Sequence, residues 1–440
     1  MGGHMYMDEQ TGPKESHPGE PRRGTRTTRR LRSVLAVAAA IVVVALLAGV
    51  LARMAQLTHH NGAGANATTT PSLTTTPNGS PTVAPTATNS DGISPNAWHV
   101  VASPSVQGEL TSIAADSATD IWAVGDHLDN SGAIIEHWNG TRWNILSTSG
   151  QRSQGLELTA VTAISANDVW MVGYNIAANN IRYTAIAHGN GSQVDVIPSP
   201  NQGTQGSALL GVTALTPDNI WAVGYYVTAA SCSFLTEPLV EHWNGAQWSI
   251  VSTPTLQTQF GAQFNAITAV TANNLWAVGA KDSNALIEHW NGTSWSVVAA
   301  PTGATLNAAT ALSSGDVWAV GTNGNGSQPI TIHWNGSGWT TVVSPPTTDY
   351  NPDLLGVAGV SPNDVWAVGG NPALGCSGTS TPLIEHWDGS TWSIVTSQAF
   401  LDLKPTPQTA FLDAVVAISA TDVWAVGRAD NSPLIMQYVP

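Results

Sequence analysis

Positive charge is what this sequence most conspicuously lacks. Its 440 residues include 14 Lys or Arg against 29 Asp or Glu, and charged residues of either sign make up 10%. Eight of the cations fall in residues 1–53, where they meet four acids; residues 54–440 hold six cations against 25 acids, a net of −19. Six scattered cations cannot neutralise a run of phosphates, so nucleic acid is not an expected partner. The acidic balance supports solubility instead. Cysteine occurs only twice. Zinc, phosphate-loop and nucleophile-elbow signatures are missing, so no metal or cofactor is expected. Low charge combined with 42 Gly and 26 Pro argues against a helical protein and for an all-β one with many turns.

The N-terminal segment explains the uneven charge. Arg22, Arg23, Arg26, Arg29, Arg30 and Arg32 precede an uncharged apolar run over residues 33–52, and Arg53 closes it. Twenty apolar residues suffice to cross roughly 30 Å of hydrocarbon as a helix. Arginine on the N-terminal side keeps that side cytoplasmic and exports the rest. A cleaved signal peptide is the alternative, but the run exceeds the usual apolar stretch and no small-x-small site follows at once. The expected organisation is a basic cytoplasmic tail (1–32), a single-pass signal anchor in the cell membrane (33–53), a linker (54–95) and an extracytoplasmic domain (96–440). The linker is rich in Thr, Pro and Ser and nearly free of large apolar side chains, so it cannot bury a core.

From residue 96 the chain is periodic. The unit "DVWAVG" recurs with tryptophans at 122, 170, 221, 276, 318, 366 and 424, spaced by 48, 51, 55, 42, 48 and 58 residues. That period is the one expected of β-propeller blades of four strands. Strand a has the "LGVTAL" pattern (210–215), b is "DVWAVG", c is "LIEHW" and d is "SWSVV". Asn-Gly or Asp-Gly between c and d signals a hairpin whose residues tolerate positive φ. Asp or Asn before strand b suits a tight a–b turn in which the side chain caps its own backbone. The final unit stops after strand c, and the domain starts with an orphan d, "NAWHVVASP" (96–104). Joining the two closes the ring without open edges. The predicted fold is therefore an all-β, seven-bladed propeller closed by its N-terminal strand. All 18 tryptophans fall in the b, c and d slots. The second unit is degenerate, with Gly189 and Val194 in the c and d tryptophan slots, and is expected to pack less well.

"WAVG" followed by "HWNG..W" resembles the repeat of bacterial exported propellers that read "VWAVG…ILHWDG..W". The pattern is also similar to the Asp-box repeats of sialidase-type propellers and of the photosystem II assembly factor, and more distantly to kelch and WD40 repeats. The resemblance covers residues 96–440. An Asp box reads Ser-x-Asp-x-Gly-x-x-Trp, whereas residues 291–295 are one residue shorter and lack the serine; the double glycine of kelch occurs only at Gly369-Gly370. The resemblance implies the fold and leaves the activity open.

Repetition weighs against the obvious chemistry. The strand-c histidines (His137, His188, His242, His289, His333, His386) invite a metal reading, but third strands lie on a wide circle and cannot converge on one ion at ~2 Å. They are expected to hydrogen-bond within or between blades, like the His/Asp/Trp network of WD40 blades. Glu136, Glu241, Glu288 and Glu385 occur once per blade and are expected to be solvated or paired with a neighbour. A sialidase-like site needs an arginine cluster, and the propeller has only Arg142, Arg152, Arg182 and Arg428. Cys232 and Cys376 occupy aligned b–c loops of blades three and six. A disulfide between them, two free thiols and an intermolecular bond all remain open.

The connections between b and c and between d and a are long and different in every blade, and they share one face. Variation confined to one face marks a binding face. Its aromatic residues Tyr174, Tyr225, Tyr226, Phe260, Phe264, Tyr350 and Phe400 are the candidate ligand contacts, suited to protein or sugar. Strand d runs toward this face, so the linker is expected to join at the opposite one. The expected function is a membrane-anchored extracytoplasmic binding or scaffolding module for a protein or glycan. The alternative is a glycan-active hydrolase or lyase with its site at the long-loop mouth. An enzyme needs titratable side chains converging at the mouth, and these loops hold few, which favours the binding reading.

Overall fold

The computed structural model describes residues 97–439 apart from 105, 130, 150–154, 178–179, 204, 231–232, 325, 348–351, 371–380, 397–406 and 408. The expected anchor and linker lie outside the described residues, as do Cys232, Cys376, Tyr350 and Phe400.

Seven antiparallel sheets form the seven blades, each with strands a to d in sequence order. Blade one, for example, comprises Gly108–Ser117, Asp120–His127, Ala133–Trp138 and Trp143–Ile145. Blade seven takes Ala410–Ser419, Asp422–Ala429 and Ser432–Val439 from the C-terminus and Ala97–Val101 from the start of the domain. Ala97 stands opposite Val439 and Val101 opposite Ile435. The N-terminal strand closes the ring, and the chain enters it at the end of Val439, on the face of the a–b and c–d turns. Blade two has a fifth strand, Thr148–Ser149, running parallel to Val194–Ile197 and covering its outer edge.

Tryptophan packing joins the blades. In blades one to six the strand-b tryptophan lies against the strand-c histidine of its own blade, as Trp221 does on His242 at 4.2 Å. In five blades its other side meets the c and d tryptophans of the next blade, as Trp221 meets Trp290 and Trp295 at 5.0 and 5.9 Å; Trp366 meets Tyr438 and Trp98 instead. Blade two does not pack loosely. Its b strand carries Met171 where the other six carry alanine, and Met171 is fully buried with Trp122, Leu156 and Leu158. A flexible methionine fills the room left by Gly189 and Val194.

Two turn expectations are corrected. In the c–d turns only the glycine has positive φ, as at Gly140 (87°) and Gly292 (95°). The asparagine instead caps the turn with its side chain: Asn291 Oδ1 accepts from the N–H groups of Thr293 and Ser294 at 2.9 and 3.0 Å. The Asp or Asn before strand b does not cap its own backbone. Its carboxyl or amide oxygen faces the strand-c histidine, from Asp120–His137 at 2.6 Å to Asp364–His386 at 2.9 Å.

The b–c connections differ between blades as expected, but they are not all long. Blades four and seven close with two-residue turns, with Asp282, Ser283 and Asp430 at positive φ. In blade three the "loop" is mostly strand: Asn219–Ala230 pairs with Ser233–Trp243 as one extended hairpin. Every a–b pair also has a register shift in the inner strand, such as Leu110/Ser112, which bends it around the axis. In four blades the side chain at that shift latches to the next blade: Thr159 Oγ1, for example, donates to Leu209 O at 2.7 Å and Asn265 Nδ2 to Leu306 O at 2.8 Å.

Candidate functional site

At the mouth on the b–c side, the second residue of strand a pairs with a strand-b residue in each blade. The pairs are Glu109 with Asp126, Glu157 with Tyr174, Ala208 with Tyr225, Gln263 with Ala280, Thr305 with Thr322, Asp353 with Gly370, and Phe411 with Arg428. Charge or an aromatic ring therefore occupies this pair in blades six, seven, one, two and three, most densely in the last four, while blades four and five present neutral groups. Strand alternation points these side chains to one face of each hairpin.

The charged sector is tied across two blade seams. Arg428 Nη1 donates to Glu109 Oε2 at 2.9 Å, joining blades seven and one, and its guanidinium sits 5.0 Å over the Phe411 ring. Asp126 Oδ1 accepts from the Leu158 N–H of blade two at 3.0 Å. Burial raises the Asp126 carboxyl to about 8; the Leu158 hydrogen bond opposes this, and the neighbouring Glu157 and Glu109 add to it. The Tyr174 hydroxyl donates to Glu157. Arg182 lies 4.4 Å over the Tyr174 ring and donates to the Tyr225 hydroxyl at 3.3 Å. Burial, then the hydrogen bond to Glu157, raise the Tyr174 phenol well above its usual range. Beneath the rim, Asp413 is raised by burial and by Glu109, against the pull of Arg428.

The sequence candidates separate in three ways. Tyr174 and Tyr225 are brought together by Arg182, which sequence reasoning counted only as a missing member of an arginine cluster. Phe260 is 73% exposed on the same side, its N–H held by Asp282 Oδ1 at 2.6 Å. Tyr226 pairs with Ser207 and Glu237 and packs on the core between blades two and three, so it supports the long hairpin. Phe264 is fully buried, 6.5 Å from Trp295, and is not a ligand contact. It occupies the strand-a position that holds Leu110, Leu158 or Leu306 elsewhere, and that alignment was the available signal. Glu109, Glu157 and Asp413 were missed because they lie inside strand a; the signal was a charged residue where other repeats carry Ala208, Gln263 or Thr305 in the case of the two glutamates, and Thr111, Asn265 or Asn307 in the case of Asp413.

The repeated histidines behave as expected, each bonded within its blade; of the two expectations for the repeated glutamates, solvation fails and a neighbouring partner is found for three. Glu136, Glu241, Glu288 and Glu385 are fully buried, not solvated. Three accept from a serine that follows the preceding strand d: Ser103 to Glu136 at 2.9 Å, Ser199 to Glu241 at 3.0 Å and Ser344 to Glu385 at 3.0 Å. Burial raises all four, to about 7 for Glu136 and Glu385 and about 8 for Glu241 and Glu288. The glutamate occurs in those blades whose predecessor ends in Ser-Pro or Thr-Pro; where Ala300-Pro301 precedes, the position is Ile332.

The mouth cluster suits recognition better than hydrolysis. A nucleophilic phenol needs a lowered pKa, and that of Tyr174 is raised. Glu109 and Glu157 are engaged by Arg428 and Tyr174. What remains is a rim of aromatic faces, guanidinium groups and carboxyls, the mixture found at binding surfaces.

No protein-family profile matches the sequence, and neither does a curated protein. Solved structures show similarity in fold. A structure of YCF48 bound to D1 peptide aligns with a TM-score of 0.51 at 16% identity, covering 78% of this chain and 96% of the other. YCF48 from Cyanidioschyzon merolae aligns at 0.52 and 15% identity over 78% and 99%. U3-55K aligns at 0.52 and 12% identity over the same shares. The propeller relationship expected from the repeat, including that to the photosystem II assembly factor, is thus seen in the fold.

Proposed function

We propose that this protein is a membrane-anchored, extracytoplasmic binding module that engages a protein or glycan partner at the mouth formed by blades seven, one, two and three. The observation that carries the reading is the asymmetry of the mouth: Tyr174, Arg182, Tyr225, Asp126, Glu109 and Arg428 crowd one sector, while Gln263, Ala280, Thr305 and Thr322 line the other. A repeat fold has no structural reason to concentrate charge in one sector. Alternating acids and arginines among aromatic rings favour a polypeptide segment bearing both signs of charge. Entry of the chain at Ala97, on the opposite face, supports a tether that leaves the mouth accessible. That YCF48, similar in fold, is bound to a D1 peptide supports a peptide ligand.

The test is capture of envelope proteins and a glycan array with the wild-type protein and an Arg182→Ala/Tyr225→Phe variant. Arg182 is exposed, so the variant keeps the fold. Specific partners should be retained by the wild type and lost by the variant. Turnover of any glycan would replace this reading by the hydrolase or lyase one, in which Asp126 serves as proton donor.

A further inference from the structure

A second site lies on the other face, away from the mouth and independent of the function proposed there. Between blades three and four, on the side of the a–b and c–d turns, runs a groove of about 420 Å³. That volume falls within the ~300–1,000 Å³ range of small-ligand sites. Blade three contributes Asn219, Trp221 and His242, with the exposed carboxylate of Asp218 at the rim, and blade four contributes Ala272, Trp290 and Gly292.

What distinguishes this seam is an exchange within the repeat. Five blades place an aspartate before strand b (Asp120, Asp168, Asp316, Asp364 and Asp422), whereas blades three and four place Asn219 and Asn274. The exchange alters the imidazole beside it. Asn219 Oδ1 accepts from His242 Nε2 at 2.9 Å and from Trp221 Nε1 at 2.8 Å. An amide oxygen can only accept, so the His242 hydrogen is on Nε2 and Nδ1 is left with a lone pair. With no carboxylate partner, burial lowers the basicity of His242 and likewise of His289. Of the residues lining the groove, His242 thus has a neutral acceptor in Nδ1 and Asn219 a neutral donor in its amide nitrogen, with the Asp218 carboxylate on the rim. The Trp290 indole, half-buried and 5.0 Å from Trp221, forms the wall beside them. In the aspartate blades the same place holds a carboxylate facing the imidazole.

Adjacent hydroxyls need an acceptor and a donor together, and the C–H face of a pyranose packs on an aromatic plane. We propose that this groove is a binding site for a neutral sugar residue carrying vicinal hydroxyls. The structure gives no structural compensation for replacing Asp by Asn, since Asn219 preserves the contacts that Asp168 makes to Trp170 and His188.

The test uses the full-length protein in a non-glycosidic detergent, titrated with the methyl glycosides of glucose, galactose, mannose and N-acetylglucosamine. Sialic acid serves as the charged control. Tryptophan fluorescence and saturation-transfer NMR provide the readouts. At least one neutral glycoside should bind saturably and sialic acid should not. Asn219→Asp should weaken that binding at least about tenfold with unchanged thermal unfolding, because five blades already carry Asp there. Ala272→Lys, at an exposed position on the rim, should weaken it too. Arg182→Ala at the mouth should leave it unchanged. The proposal is overturned if no neutral glycoside saturates, if binding survives both Asn219→Asp and Ala272→Lys, or if Arg182→Ala abolishes it.

Discussion

Replacing Glu288 by glutamine should make the protein more stable, and only above acidic pH. Glu288 is fully buried, and neither carboxylate oxygen has a hydrogen-bond partner. Burial raises its pKa from 4.5 to about 8. Between those values the folded state binds a proton that the unfolded state has released. Stability is therefore greatest below pH 4.5 and declines as the pH rises toward 8. At pH 7 the carboxyl stays protonated on folding against 2.5 pH units, which costs roughly 3 kcal/mol at ~1.36 kcal/mol per unit. Glutamine has nearly the same shape and no charge to lose. Glu288→Gln should match the wild type within about 1 kcal/mol at pH 4.5 and exceed it by roughly 3 kcal/mol at pH 7. If the propeller unfolds cooperatively, that corresponds to a rise of about 4 °C in Tm, given the unfolding entropy of a domain this size. The assay is thermal unfolding followed by tryptophan fluorescence from pH 4.5 to 8. Wild-type and variant curves that run parallel across that window would refute the reasoning, because the slope would then not come from this carboxyl.

Other expectations follow from the same packing. Asp413 occupies the latch position that Thr111, Thr159, Asn265 and Asn307 fill with donors, so Asp413→Asn should raise Tm at pH 8 and leave it unchanged near pH 4. Ser344→Ala removes the donor to Glu385 and should destabilise by about 1–2 kcal/mol in urea titrations at pH 7. Gly279→Ala would put a Cβ 2.1 Å from the Gln263 carbonyl oxygen, and a loss of about 3 kcal/mol or failure to fold is expected. Met171→Ala should open a void beside Trp122, costing about 2–5 kcal/mol by the same titration.

The architecture was legible because the repeat states it seven times. Blade count, strand order, closure by residues 96–104 and the histidine network all follow from spacing that a single motif could not supply. Burial of the strand-c glutamates was not legible from the residue type, since an acid on an outer strand is ordinarily solvated. Their environment comes from the next blade inward in sequence: Ser103, Ser199 and Ser344 reach across a seam, 33 to 42 residues away. The mouth was half legible. Tyr174 and Tyr225 stood out as aromatics in variable segments, but Glu109 and Glu157 sit within strands that read as core, and only cross-strand register brings them to Asp126, Tyr174 and Arg182.

Departures from a repeat are of two physical kinds, and separating them is what gives the remaining positions meaning. Gly189 and Val194 remove two indoles, and Met171 arrives in the same blade to fill the gap. Ala300 removes a hydroxyl, and Ile332 arrives in the next blade where a glutamate would have needed it. Such paired changes keep the packing constant and carry no functional content. Asn219 and the Glu109–Asp126 pair are of the other kind. Asn219 keeps both hydrogen bonds of the aspartate it replaces and removes a charge from a groove. Glu109 and Asp126 place two acids opposite each other, a destabilising pairing in a sheet, and the neighbouring Glu157 adds to the strain on Asp126. A fold that balances its other substitutions so closely has no stability reason to retain three carboxyls together at its mouth. In the mouth site we propose, they form the acidic half opposite Arg428 and Arg182, matching a partner segment that bears both signs of charge.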